Sequence, residues 1–292
     1  MITKSEIAVL DGLSTGREAT PEKLATATGY SRTHLYEVID ELQEGGLLTA
    51  SRGSHNQLRV AVTGHAVVEA YRRLTSKLGH VAWEDLLSPA TLRVCWYLDE
   101  PRRVTAIADR LNITRQAVHN ALTPLKDRAM LSPDGPEYAL SAELKPLWDF
   151  ARETVLHEHR TRVREVATSA TVEWCDPRRV LVRVQDSDDT NALQTDDEWQ
   201  MTALARFRDY GLQFFLAGEP AFWYAPEETL TPAEIVCHTL VLDSGSRRVS
   251  YSLLLIEAEA IAQQELMDVA VWYGLADTIS EMYRYLDEEY TP

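Results

Sequence analysis

Arg32, Thr33, His34 and Tyr36 set a guanidinium, a hydroxyl, an imidazole and a phenol almost side by side, directly after Ser31. A guanidinium can fork onto the O6/N7 edge of a guanine or clamp a phosphate, and a threonine offers a thymine both a methyl and a hydroxyl. A second cluster follows Thr114: Arg115, Gln116, His119 and Asn120. The amides of Gln116 and Asn120 suit the N6/N7 edge of adenine. Arg52, His55, Asn56 and Arg59 form a third group of the kind that holds phosphate or reaches a minor groove. This is the chemistry of reading a polar surface by hydrogen bonds.

Such side chains must be held by helices. In the first cluster Thr20 reads as an N-cap and Pro21 as the first helical residue of a short helix that ends near Gly29. Tyr30 is placed to plug the core across the turn. Ser31 then caps a second helix whose apolar face is Leu35, Val38, Ile39 and Leu42, and Gly45-Gly46 stops it. The stretches LLTAS and LRVAVT flank polar RGSHNQ and read as a hairpin. Upstream, Thr3 and Glu6 have the spacing of a capping box.

The second cluster repeats this grammar. From Leu24 to Ile107 the chain shows a constant offset of 83 residues, with Arg32 over Arg115, Leu35 over Val118, Leu42 over Leu125 and Leu48 over Leu131. Thr114 is the cap, and MLSPDGPEYALS is a shorter hairpin. Pro124 lies inside the second helix and is expected to kink it. The first copy, with an uninterrupted helix and a longer hairpin, is therefore expected to read sequence and the second to add contacts. Helix, helix, exposed helix and hairpin, twice over residues 1–145, resembles the winged helix-turn-helix regulators of the MarR and ArsR type. The resemblance implies duplex DNA as partner and regulation of transcription as role. It assigns recognition to Ser31, Arg32, Thr33, His34 and Tyr36, hairpin contacts to Arg52, His55 and Arg59, and a second contact to Thr114, Arg115, Gln116 and His119.

A net charge of −16 opposes any approach to DNA, and its distribution decides the matter. Residues 1–165 hold 21 basic and 22 acidic side chains, whereas residues 166–292 hold 8 and 23. The acidity is segregated away from the repeated motif, which suggests different partners for the two parts. Five of the 29 basic residues are lysines and the others arginines. An acidic, lysine-poor composition resembles that of proteins of salt-loving archaea. Dense carboxylates hold water in molar salt, where screening removes their mutual repulsion. Counterion release is weaker there, so a DNA reader depends more on base contacts and shape than on bulk charge. Cys95, Cys175 and Cys237 are scattered and odd in number, which fits a reducing compartment without a disulfide framework. With no apolar run of membrane-spanning length and no signal-peptide pattern, the expected location is the cytoplasm.

Residues 63–79 and 141–167 read as helices after each hairpin. Trp148, Phe150, Val155 and Val163 on the second are expected to form a dimer face. Arg160, Arg162 and Arg164 make a local basic cluster. His157 and His159 fall on opposite faces of that helix, so one ion is not shared between them, and a solvent-facing helix is expected. From 170 onward ATVEWC and RRVLVRVQ read as paired strands and DSDDTNALQTDDEW as an acidic loop. EWQMTALARFRDYG reads as a helix, LQFFLAG and AFWYAP as strands, and TPAEIVCHTLVLD and the remainder as helices. This order resembles, at the level of fold, regulators paired with abortive-infection nucleotidyltransferases and degenerate nucleotidyltransferase domains. A working enzyme of that kind needs a Gly-Ser pair leading into Asp-x-Asp, because paired carboxylates hold the metals. Gly245-Ser246 leads into RRVSYS, and the spaced carboxylates Asp186, Asp188 and Asp189 lack a preceding Gly-Ser. Phe214, Phe215, Trp223 and Tyr224 read as core before they read as a ligand pocket.

The sequence thus points to an α+β, mostly α protein: a winged helix at 1–80, another at 84–165 with a long linker helix, and an acidic α+β domain with a helical appendage at 166–292. The expected function is sequence-specific binding of double-stranded DNA and transcriptional regulation, without catalytic residues, cofactor or metal, as a homodimer and with a possible protein partner on the acidic domain. The alternative is a protein–protein adaptor or antitoxin-type partner of a defence system. A nucleotide-handling enzyme ranks third.

Overall fold

The structure, a computed structural model, describes residues 1–14, 18–53, 57–134, 136–213, 220–225 and 228–289. The chain is α+β and mostly helical, 61% helix and 13% strand, with small antiparallel sheets. It divides into two compact units, Met1–Glu158 and His159–Pro292. No helix of the described residues is long and apolar enough to cross a membrane.

In the first unit, α1 (Lys4–Ser14) packs on α2 (Pro21–Thr28) and α3 (Arg32–Glu44). The capping box forms as expected: Glu6 accepts from the Thr3 amide at 2.7 Å, and Thr3 Oγ1 accepts from the Glu6 amide at 3.3 Å. A hairpin follows, β1 (Leu48–Arg52) paired with β2 (Leu58–Val62), and Ala19 bridges Val60 through two backbone hydrogen bonds of 2.9 Å. Helices α4 (Ala66–Lys77) and α5 (Trp83–Leu86) lead to α6 (Pro89–Cys95). Then come β3 (Arg102–Arg103), α7 (Val104–Leu111), α8 (Arg115–Lys126), β4 (Leu131–Asp134) and β5 (Glu137–Leu140), with β5 between β3 and β4. The long α9 (Lys145–Val166) starts in this unit.

The repeat extends to the backbone. Helices α2 and α7, α3 and α8, and strands β1 and β4 each begin at matching positions, 21 and 104, 32 and 115, 48 and 131. Gly29 (φ 74°) and Asn112 (φ 52°) both take the left-handed conformation that ends the first helix, and Gly46 and Ala129 match in the same way after the second. Ser31 Oγ and Thr114 Oγ1 each accept from an amide in the first turn, those of His34 and Ala117. The apolar columns Leu24/Ile107, Leu35/Val118 and Leu42/Leu125 are buried in both copies. Pro124 is accommodated within α8, which continues to Lys126.

The second unit centres on a four-stranded sheet in the order β6 (Thr171–Cys175), β7 (Val180–Arg183), β9 (Ala221–Tyr224), β8 (Trp199–Met201). All four residues of β9 are buried, which explains its unbroken apolar sequence. Helix α10 (Ser187–Thr195) precedes β8. Helices α11 (Pro232–Leu242), α12 (Ser246–Ala258), α13 (Gln263–Ala270) and α14 (Ala276–Glu289) follow β9. Seven residues of α11, from Ala233 to Leu240, are buried, the mark of a helix enclosed on most sides.

Two readings of the second unit are corrected, and a third, LQFFLAG as a strand, falls largely outside the described residues. DSDDTNALQTDDEW is not a loop: Asp186 caps α10 by accepting from the Asp188 and Asp189 amides at 2.8 and 3.2 Å. EWQMTALARFRDYG is not one helix. Trp199 and Met201 pair with Tyr224 and Phe222, Thr202 stays extended, and Ala203 at φ 55° starts a separate 3-10 helix to Tyr210. Within LQFFLAG, Leu212 and Gln213 belong to no strand, and Phe214 and Phe215 lie outside the described residues. The α9 dimer face is also overturned at the residue level, since Phe150, Val155 and Val163 are buried within the chain and Trp148 donates to the Trp96 carbonyl at 3.0 Å.

The three cysteines are buried and form no disulfide, and burial pushes the Cys95 thiol up to about 12. Because the thiolate is the reactive species, Cys95 is expected to ignore a thiol reagent at pH 8 in the native chain and to react at once in denaturant. Fast native labelling at Cys95, located by peptide mapping, would contradict this burial.

Candidate functional site

The first exposed surface is the N-terminal half of α3. Arg32, Thr33 and Tyr36 face solvent, with Tyr36 42% exposed, while Leu35, Val38 and Ile39 anchor the helix beneath. Arg32 is not alone there. Its Nη1 lies 3.8 Å from Glu22 Oε1 on α2. His34 is half-buried: Nε2 sits 3.0 Å from Ser5 Oγ on α1, Nδ1 sits 3.6 Å from Glu37 Oε2, and the ring meets Tyr30 edge-on at 5.1 Å. Tyr30 is accordingly half-buried at the turn, not a plug of the core. Four exposed carboxylates, Glu37, Asp40, Glu41 and Glu44, follow along the same helix.

On the hairpin, Arg52 is exposed on β1, and Arg59 on β2 pairs with Glu18 at 3.3 Å. His55 and Asn56 lie outside the described residues.

The second surface, on α8, differs in charge. Arg115, Gln116, His119 and Asn120 are all exposed after the Thr114 cap. Gln116 Nε2 donates to Asn120 Oδ1 at 2.8 Å, so the two amides stand as one unit. Helix α8 carries no carboxylate, and Lys126 ends it. Its hairpin is the more acidic one, with Glu137 held at 3.3 Å by Arg103.

A family model described as HVO_2833_C, C-terminal, matches residues 196–292. The match takes in β8, β9 and α11 to α14, and leaves out both repeated modules and β6, β7 and α10. No curated protein matches the chain.

In the second unit the titratable groups that the sequence left unassigned are structural. His159 is buried, contrary to the expected solvent-facing helix. A guanidinium only donates and a carbonyl only accepts. His159 Nδ1 therefore accepts from Arg162 Nη1 at 3.2 Å, and Nε2–H donates to the Asp176 carbonyl at 2.7 Å. Asp176 Oδ1 accepts from the Arg178 and Arg179 amides at 2.8 Å, and Oδ2 pairs with Arg179 at 3.0 Å. Glu228 takes Arg179 in a two-point grip of 2.6 and 2.7 Å. The Asp-x-Asp spacing serves local structure. Asp186 caps α10, and Asp189 Oδ2 accepts from the Ser169 amide at 2.6 Å, a bond that holds its carboxyl below the usual range. Among the described residues no group of histidine, cysteine and carboxylate side chains could hold a metal. Trp223 and Tyr224 are core residues of β9.

Proposed function

We propose that the chain is a sequence-specific binder of double-stranded DNA that regulates transcription through two tandem winged helices. The observation that carries this reading is the repeated backbone. Two helix pairs, 83 residues apart, end their first helix in a left-handed residue, cap the second with a hydroxyl and present its polar N-terminal half to solvent, with a hairpin behind. That is the geometry with which a recognition helix enters a major groove while a hairpin touches the backbone. Residues 159–292 act in this reading as a non-catalytic domain for a partner protein or a second copy, in the cytoplasm. The buried Asp176 and the spaced Asp186 and Asp189 are committed to arginine, a helix cap and a backbone amide, which supports binding over catalysis.

Titration of the full chain with duplexes selected from a random-sequence pool, and with scrambled controls, at two salt concentrations tests the reading. Arg52→Ala is expected to weaken all duplexes alike and to flatten the salt dependence by about one unit of slope, as for loss of one phosphate contact. Equal binding to selected and scrambled duplexes would remove the claim of specificity. The exposed carboxylates of α3 favour a second reading, a protein–protein adaptor in which that helix faces a basic partner.

A further inference from the structure

We propose that α8, not α3, is the helix that reads bases, with Arg115 and His119 as its specificity-determining side chains. The proposal rests on the DNA-binding reading above and concerns which of the two faces duplex DNA accepts.

The repeat permits a position-by-position comparison. Glu22, Glu37, Asp40 and Glu41 of the first module stand where the second has Thr105, Asn120, Thr123 and Pro124. Each of these four carboxylates of the first module is thus a neutral residue in the second, while Glu44 keeps an acid, Asp127, at the matching position. Along the stretch that the two helices share up to Glu41 and Pro124, α3 sets Arg32 against Glu37, Asp40 and Glu41, whereas α8 carries Arg115 and no acid, with Lys126 before Asp127 at its end. Duplex DNA carries a negative charge about every 1.7 Å of its axis, so this difference favours α8.

Availability points the same way. Arg32 has the Glu22 carboxylate 3.8 Å away, a competitor for a base edge or a phosphate. His34, half-buried, is tied to Ser5 on α1. The side chains of Arg115 and His119 are exposed and make no hydrogen bond or ion pair with a described residue. They lie four positions apart on one helix face, the spacing that lets two side chains reach neighbouring base pairs. Gln116 reaches the groove already joined to Asn120, with donors and acceptors to spare for an adenine.

The test uses the full chain and duplexes that the wild-type protein selects from a random-sequence pool. Arg115→Ala and His119→Ala are each expected to weaken the selected duplex about ten- to a hundredfold and to relax preference at one or two positions. Arg32→Ala is expected to change it less than about threefold, as for a side chain at an interface rim. Asn120→Glu with Thr123→Asp, which writes the acids of α3 onto α8, is expected to abolish selection while far-UV circular dichroism and the urea midpoint stay unchanged. A larger loss from Arg32→Ala than from Arg115→Ala overturns the assignment to α8 and leaves DNA binding standing. So does unchanged selection by the Asn120→Glu, Thr123→Asp chain. A wild-type protein that selects no duplex overturns the DNA reading itself, and this proposal with it.

Discussion

Asp176→Ala is expected to lower the stability of the second unit by about 3–5 kcal/mol, the range for removing one member of a buried ion pair. Asp176 is 1% exposed and Arg179 5%. Alanine would leave the buried Arg179 guanidinium without this carboxylate beside Glu228 and would free the Arg178 and Arg179 amides in the turn between β6 and β7. Asp176→Asn keeps an oxygen for those amides and should cost less than alanine. Asp197→Ala, on an exposed carboxylate, should stay within about 0.5 kcal/mol. Because a buried pair is screened little, the Asp176→Ala loss should be similar at low and at molar salt. Urea unfolding of the three variants at both salts is the measurement. A loss below about 1 kcal/mol, or one that vanishes in salt, would mean that water reaches this network.

The repeat was legible because both of its signals are local. Caps at Ser31 and Thr114 and apolar columns at helical spacing survive without knowledge of the tertiary fold, and they placed α2, α3, α7, α8 and both hairpins. The candidate side chains were legible as types, since Arg32, Arg115 and His119 are exposed where periodicity puts them. Their availability was not. The carboxylate beside Arg32 comes from α2 and the hydroxyl beside His34 from α1, 29 positions away in the chain. In the second unit, pairing with β9 turns Trp199–Met201 into a strand despite its place in an amphipathic run. The acidic run from Asp186 reads as solvated loop by composition, yet one of its oxygens caps a helix. The α9 aromatics look like an oligomer face until the partners that cover them within the chain are known.

His238→Ala is expected to be the other severe lesion, about 4 kcal/mol, because it combines a cavity with stranded hydroxyls. His238 lies on α11 within the region matched by the family model, and it is fully buried. Nδ1 is 2.7 Å from Thr202 Oγ1 and Nε2 is 2.9 Å from the Tyr273 hydroxyl, while the ring lies 4.3 Å from that of Trp223. A neutral imidazole donates from one nitrogen and accepts at the other, so one hydroxyl accepts and its opposite number donates. Alanine removes the volume and both partners together. His238→Phe keeps much of the volume and a ring against Trp223, so its loss should fall to about 1–3 kcal/mol, the cost of hydroxyls left without their partner. Removing the Tyr273 hydroxyl as well separates the two terms. If the histidine acts through these hydrogen bonds, His238→Phe with Tyr273→Phe should be less destabilised than the sum of the single changes, a coupling of about 0.5–3 kcal/mol. Strict additivity in urea unfolding would assign His238 to packing alone. A His238→Ala chain as stable as the wild type would place the ring in contact with water, at odds with a helix that buries seven residues between Ala233 and Leu240.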